Sequence, residues 1–149
     1  MKLNSLEEIL RFAVRKEADA ALAYRIAADR ARPGVKQLFE ELAEEEEGHK
    51  KKLERFDLKK INRMKLKETK GLGLSERMED IPFGPQLTYE ELLRMAIKNE
   101  ERSEKLYTST AKLVNDPNLK KLLIILAREE STHKERLEKI YDNEILKEF

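Results

Sequence analysis

Apolar residues recur at alternating steps of three and four along four long stretches of the chain, while signals for β-strands are nearly absent. That spacing places the apolar side chains on one face of an α-helix. We therefore predict an all-α protein with four helices. The first helix is expected at about residues 5–31. The second begins after the Pro33-Gly34 turn and ends within 62–67, and the third and fourth span 88–115 and 117–144.

Local signals mark where these helices begin and end. Residues 5–8 and 88–91 have the Ser/Thr-x-x-Glu spacing of a capping box, which opens a helix. Pro33-Gly34 is expected to end the first helix, since neither residue favours its continuation. Asp116-Pro117 provides an N-cap and a first-turn proline for the last helix.

The connections between the predicted helices are short, long and short. Residues 68–87 carry most of the chain's glycine and proline and predict a crossover loop, with a disordered linker as the alternative. Each short turn joins two helices into an antiparallel hairpin. Two antiparallel hairpins joined by a long crossover resemble a ferritin-like four-helix bundle.

The two halves of the chain also resemble each other. At an offset of 83 residues, Glu17 and Tyr24 of the first helix align with Glu100 and Tyr107 of the third. At an offset of 84, the second and fourth helices share a Leu-Ala-x-Glu-Glu-x-x-His-Lys sequence. Chance similarity among Glu- and Lys-rich helices does not explain why the only two histidines fall at equivalent positions. We interpret the chain as two related hairpins that face each other.

Polar residues interrupt the apolar stripe of every predicted helix near its middle. In the second and fourth helices the interruption is a Glu-x-x-His sequence, and in the first and third it is a single Glu. Helical spacing turns all of these side chains toward the bundle interior. The six residues are Glu17, Glu46, His49, Glu100, Glu130 and His133.

Four buried carboxylates without partners would be very unfavourable, because burial and mutual repulsion both oppose their charge. Two divalent ions would balance the four negative charges, and neutral imidazoles would add none. A Glu and a His three residues apart lie on one helix face, where both can bind the same dinuclear centre. Oxygen-rich ligation with one imidazole per metal suits iron, with manganese as the alternative.

Four further residues are candidates for supporting roles around this centre. Glu45 and Glu129 lie four residues before His49 and His133, and could orient the free ring nitrogen of each, although a solvent-exposed position is the alternative. Tyr24 and Tyr107, two turns after the Glu ligands, are candidates for hydrogen bonding or redox roles. Ordinary core packing is the alternative for both tyrosines.

Composition excludes several classes of function. The chain of 149 residues has no cysteine, which excludes disulfides, zinc–thiolate sites and cysteine-bound iron–sulfur clusters. Its 31 basic and 30 acidic residues nearly cancel, so we expect neither nucleic acid nor a membrane surface as a partner. No apolar run is long enough to span a bilayer and no secretory signal is evident, so we expect a cytoplasmic protein.

The paired Glu-x-x-His sequences and single Glu residues resemble the rubrerythrin-like branch of the ferritin-like superfamily, over nearly the whole chain. The resemblance implies one diiron domain over residues 1–149, which reacts with peroxide or dioxygen and cycles between diferrous and diferric states. It also implies that the six interior residues are the metal ligands. The resemblance further implies a homo-oligomer, with a dimer favoured.

The sequence departs from these relatives in two ways. It has no cysteine-rich rubredoxin domain, so electrons are expected from an external donor such as a rubredoxin. It also has Ser103 where the relatives tend to carry a seventh carboxylate, three residues after Glu100. Glu101 and Glu104 flank this position but have the wrong helical phase to replace it.

We therefore expect a non-haem diiron oxidoreductase that acts on hydrogen peroxide or dioxygen in oxidative-stress defence. One alternative is a ferroxidase or iron-handling protein of the bacterioferritin type. Another is an oxygenase or a manganese catalase-like enzyme, and a third is a metal-free helical interaction module. The sequence leaves the physiological substrate and electron donor open.

Overall fold

A computed structural model of the protein describes residues 5–56 and 86–146, which contain four α-helices and no β-strand. Helix α1 spans Leu6–Arg30, α2 spans Pro33–Glu54, α3 spans Tyr89–Leu113 and α4 spans Pro117–Glu144. The prediction of an all-α, four-helix protein is confirmed. The predicted continuation of the second helix beyond residue 56 and nearly all of the predicted crossover lie outside the described residues.

The helix starts follow the predicted capping signals. The Ser5 hydroxyl accepts a hydrogen bond from the Glu8 backbone at 3.1 Å, and Asp116 accepts one from the Leu119 backbone at 2.9 Å. At the start of α3, Thr88 and Glu91 form a complete capping box in which each side chain accepts from the other's backbone N–H. These contacts satisfy donors that have no partner within the helix.

Two predicted boundaries were wrong by a few residues. Helix α2 begins at Pro33 rather than after the Pro-Gly pair, because the fixed φ and missing N–H of proline suit the first turn of a helix. Helix α3 ends at Leu113 rather than residue 115. Val114 is already extended, with φ of −94° and ψ of 145°, and its side chain is buried in the core.

The helices form two hairpins that pack together with α1 beside α3 and α2 beside α4. One apolar cluster joins the start of α1 to the ends of α2 and α3 and the start of α4. A second cluster joins the opposite ends of the same helices. Neighbouring helices are therefore antiparallel, and the mid-helix residues form a layer between two apolar ends.

Within the described residues, no helix combines the length and low charge that would let it cross a bilayer.

Candidate metal centre

The middle layer of the bundle contains all six polar residues that the sequence places inside. Each is only 1–2% exposed to solvent. Apolar side chains above and below them on the same helices hold the layer away from water. The structure thus brings these residues together: Glu17 on α1, Glu46 and His49 on α2, Glu100 on α3, and Glu130 and His133 on α4.

The six side chains form two overlapping groups of four. One group contains Glu17 and His49, the other contains Glu100 and His133, and both contain Glu46 and Glu130. Within each group, one oxygen or nitrogen atom per residue lies within 4.8 Å of the others. The shared carboxylates are therefore in a position to bridge two metal ions.

The two histidine rings lie side by side across the layer. Their ring centroids are 5.7 Å apart and their planes differ by 9°. The Nδ1 atom of His49 lies 2.8 Å from an oxygen of Glu130, and Nδ1 of His133 lies 2.7 Å from an oxygen of Glu46. Each ring therefore directs Nδ1 toward the shared carboxylates.

The site fits a pair of metal ions because it gathers buried polar atoms that have no hydrogen-bond partner. Although the Nδ1 atoms are close to carboxylate oxygens, their geometry does not make hydrogen bonds. Such unsatisfied atoms are costly, and metal coordination would satisfy them. There is one on every predicted ligand: Glu17 Oε2, Glu46 Oε1, His49 Nδ1, Glu100 Oε2, Glu130 Oε1 and His133 Nδ1.

In the metal-free site, burial and crowding shift the pKa values of the carboxylates. Burial raises the pKa of Glu46 and of Glu130 well above the ordinary value, and the charges of neighbouring carboxylates raise it further. Burial also raises the pKa of Glu17, but close contacts with Glu46 and His49 and the hydrogen bond from Tyr107 outweigh it and leave this pKa lowered. Metal ions would therefore displace protons as they bind.

Burial lowers the pKa of His49, but the nearby carboxylates of Glu130 and Glu17 outweigh this and raise the pKa to about 11. The metal-free protein accordingly keeps a cationic imidazolium among the carboxylates at neutral pH. Metal coordination requires this ring to lose the Nδ1 proton.

The outer nitrogen of each histidine contacts a glutamate on the opposite helix. Nε2 of His49 hydrogen-bonds to Glu129, and Nε2 of His133 lies 3.1 Å from Glu45. Because a carboxylate only accepts, these bonds keep a proton on Nε2, so that a neutral ring has its lone pair on Nδ1. The expected pairing of each Glu with the histidine of its own helix was wrong. The carboxyl groups are also 43–44% exposed, so they link the buried rings to the surface.

The two tyrosines contact carboxylates across the bundle. The Tyr24 hydroxyl donates to Glu100, and the Tyr107 hydroxyl donates to Glu17. Burial raises the pKa of both tyrosines well above the ordinary value, and nearby carboxylates add to the effect. Both hydroxyls therefore stay protonated, as donors, and the two side chains do more than fill the core.

One contact near the site was not foreseen from the sequence. Arg136 lies 3.0 Å from Glu45, beside His133, on the surface between α2 and α4. It lines a cleft of about 310 Å³ whose floor includes both histidines. The available signal was its spacing, since Arg136 follows His133 by three residues as Lys52 follows His49.

The structure places Ser103 in the interior, where it is 7% exposed. Its two acidic neighbours point elsewhere. Glu101 lies 3.0 Å from Lys105 and 3.5 Å from Lys134, and Glu104 lines a separate surface cleft. The expectation that neither glutamate adds a carboxylate to the centre agrees with these positions.

Comparisons with known proteins agree with this architecture. A sequence model of the family described as rubrerythrin matches residues 8–75 and 91–148. The fold is similar to the crystal structure of a Thermotoga maritima protein described as a candidate ferritin-like diiron-carboxylate protein, with a TM-score of 0.72 and 20% identity. That similarity covers 97% of this chain and 98% of the other. No curated protein matches the sequence.

Proposed function

Because the chain belongs to the rubrerythrin family, we propose that it is a non-haem diiron oxidoreductase that reacts with hydrogen peroxide or dioxygen. The observation that supports this is the arrangement of six buried ligand atoms in two groups that share Glu46 and Glu130. Such an arrangement suits two adjacent ions better than one. A role in oxidative-stress defence is part of the proposal.

Each proposed metal position has three carboxylates and one imidazole. The first uses Glu17 and His49, the second uses Glu100 and His133, and Glu46 and Glu130 serve both. Hard oxygen donors with a single nitrogen favour iron or manganese over softer metals, and we propose iron. Two ferrous ions, when bound, supply the two electrons needed to reduce one peroxide to water.

The protein's own groups then set the conditions for this chemistry. Burial of the layer excludes bulk water, which strengthens the electrostatic interactions within it. Tyr24 and Tyr107 hold their protons on the phenolic oxygen and fix one oxygen of Glu100 and Glu17. Glu129 and Glu45 hold the ring protons on Nε2 and leave Nδ1 of each histidine free to coordinate.

The reaction as proposed needs electrons from outside this chain. The sequence contains no cysteine with which to hold an iron–sulfur or rubredoxin-type centre. We therefore propose a separate donor protein, such as a rubredoxin, as the physiological reductant. The protein would work as a homo-oligomer, with a dimer favoured.

Rapid mixing of the anaerobic diferrous protein with hydrogen peroxide, and separately with dioxygen, tests the proposal. We expect an iron(III) absorption band to form with at least one oxidant, much faster than for ferrous ion in buffer. A Glu130→Ala variant should resemble the buffer control. If neither oxidant reacts with the iron-loaded protein, the proposed activity is wrong.

A ferroxidase or iron-handling role is the second candidate, and the buried Ser103 favours it. With a serine in that interior position, the proposed centre has six ligands rather than seven, which is closer to a site of the bacterioferritin type. Light scattering distinguishes the two functions by assembly size. A cage-sized assembly would favour iron storage, whereas a dimer would count against it.

A further inference from the structure

The outer cleft between α2 and α4 has nearly the same residues on both sides. Its lining consists of four pairs in which the members are 84 residues apart: Glu45 and Glu129, Gly48 and Thr132, His49 and His133, and Lys52 and Arg136. The surroundings of His49 and His133, one at each proposed metal position, can therefore be compared residue by residue in this cleft. Any difference between the two sides acts on one histidine more than on the other.

The contacts of the two glutamates differ. One oxygen of Glu45 lies 3.1 Å from Nε2 of His133 and 3.0 Å from a guanidinium nitrogen of Arg136. It therefore serves two donors. Glu129 hydrogen-bonds to His49, and within residues 5–56 and 86–146 it forms no ion pair with a lysine or arginine. Lys52 lines the cleft at the position equivalent to Arg136 but does not bind Glu129.

This difference changes how strongly each histidine can donate to a metal. A carboxylate that accepts the outer N–H of an imidazole increases the electron density at the inner nitrogen. A guanidinium 3.0 Å from the same carboxylate oxygen offsets part of its negative charge. Glu45 therefore polarises His133 less than Glu129 polarises His49.

We propose that Arg136 makes the two metal positions unequal, so that a divalent ion is held more tightly beside His49 than beside His133. The inference rests on the dinuclear centre of the proposed function. Arg136 acts through Glu45 and does not reach the inner face of the ring, so it is a positioning residue. The class of ligand concerned is a divalent transition-metal ion.

Calorimetric titration of the metal-free protein with Zn²⁺ alone tests the affinities, because Zn²⁺ has no redox chemistry that could obscure binding. We expect two steps whose dissociation constants differ by about tenfold or more, in keeping with the usual effect of partners of metal-bound histidines. Arg136→Met removes the charge and keeps a long side chain. This variant should bind the weaker Zn²⁺ ion more tightly and reduce the ratio of the two dissociation constants several-fold.

Lys52→Met is the matched control. It removes one positive charge from the same cleft without breaking an ion pair to Glu129, so the ratio should stay close to that of the unaltered protein. An equal change in both variants would show that general charge, not the Arg136–Glu45 contact, controls binding, and would overturn the inference.

A second measurement detects the polarisation itself. The protein has only two histidines, so the Zn²⁺-loaded, ¹⁵N-labelled protein should give two ring N–H signals in its NMR spectrum. Glu45→Gln assigns the signal of His133. We expect the His49 proton to resonate further downfield, and Arg136→Met to move the His133 proton downfield without moving that of His49.

The possible outcomes separate this inference from the proposed function. If fewer than two Zn²⁺ ions bind per chain, the dinuclear centre is wrong and the inference fails with it. If two ions bind but the ratio and the His133 signal are unchanged in Arg136→Met, the dinuclear centre stands and only the inference is overturned.

Discussion

At the scale of single residues, each of the six predicted ligands has one atom that faces the centre without a hydrogen-bond partner, and four of them have a second contact that fixes their orientation. The tyrosines fix Glu17 and Glu100, while exposed glutamates fix both histidines. An unsatisfied buried polar atom costs about 1 to 3 kcal/mol, so six in one layer would be a large cost without a ligand. The orientation of every side chain toward one point is best explained by metal binding.

Glu130 is the residue whose loss should damage the centre most, because it belongs to both ligand groups. We expect Glu130→Ala to reduce the bound metal from two ions per chain to one or none, as measured by elemental analysis of the reconstituted protein. Glu44→Ala is the matched control, since Glu44 is an exposed member of the acidic run on α2. Retention of two ions in the Glu130 variant would contradict its assignment as a bridging ligand.

Tyr24 should contribute to stability through its buried hydrogen bond to Glu100. We expect Tyr24→Phe to lower the free energy of unfolding of the metal-free protein by about 1 to 3 kcal/mol, the usual cost of leaving a buried hydrogen-bonding group without its partner. Urea denaturation measures this change.

Tyr141→Phe provides the comparison for Tyr24, because Tyr141 also donates to a glutamate, Glu90, at 2.9 Å, but near the surface. Water can replace that contact, so its loss should cost less. Equal losses in the two variants would mean that burial of the Tyr24–Glu100 contact has no special importance.

At the scale of the helices, local hydrogen bonds set the helix ends, and the spacing of apolar residues sets the buried faces. The capping box of α3 is an example: Glu91 accepts from the Thr88 backbone, and this bond together with the Thr88 side chain lowers the pKa of Glu91. The contribution of this carboxylate is present above its ordinary pKa and is lost as pH falls through the lowered value. The cap therefore works fully at neutral pH.

Removal of the Thr88 hydroxyl should weaken the start of α3. We expect Thr88→Ala to lower the free energy of unfolding by about 1 kcal/mol and the Tm by about 2 to 4 °C, because an amide in the first turn loses its acceptor. Thermal melts followed by circular dichroism measure the change. Thr108 is exposed within the same helix, where alanine has a higher helix propensity than threonine, so Thr108→Ala should be neutral or slightly stabilising. A similar loss of stability in both variants would exclude a capping effect.

At the scale of the whole molecule, two apolar ends enclose a charged layer. The ends supply the hydrophobic stabilisation, while the layer opposes folding unless its carboxylates are protonated or bound to metal. In the metal-free protein, burial and mutual repulsion keep the pKa of Glu46 and Glu130 raised. Metal binding and global stability should therefore be coupled.

Metal removal is expected to destabilise the entire bundle. Each ion present at 100 times its dissociation constant should add about 2.7 kcal/mol to the free energy of unfolding. Differential scanning calorimetry with and without a chelator should therefore show a lower Tm in the chelated protein. The Glu130→Ala variant should respond much less, and an equal response would show that the chelator acts elsewhere.

The sequence alone determined the number of helices, most of their ends, and the six residues that face inward. These features depend on helical periodicity and on contacts between residues a few positions apart, which are local. The two histidines were also informative, because their equivalent places in a repeat identified the layer in which a site could lie.

Only the tertiary structure decided which partner holds each of these side chains. Glu45 lies four residues before His49 but contacts His133, and Tyr24 lies seven residues after Glu17 but contacts Glu100. The same packing placed Arg136 on one side of the histidine pair, whereas the other side has no equivalent contact among the residues that the structure describes. Such pairings depend on the relative shift and rotation of antiparallel helices, which arise from packing across the bundle and cannot be obtained from the spacing within any one helix.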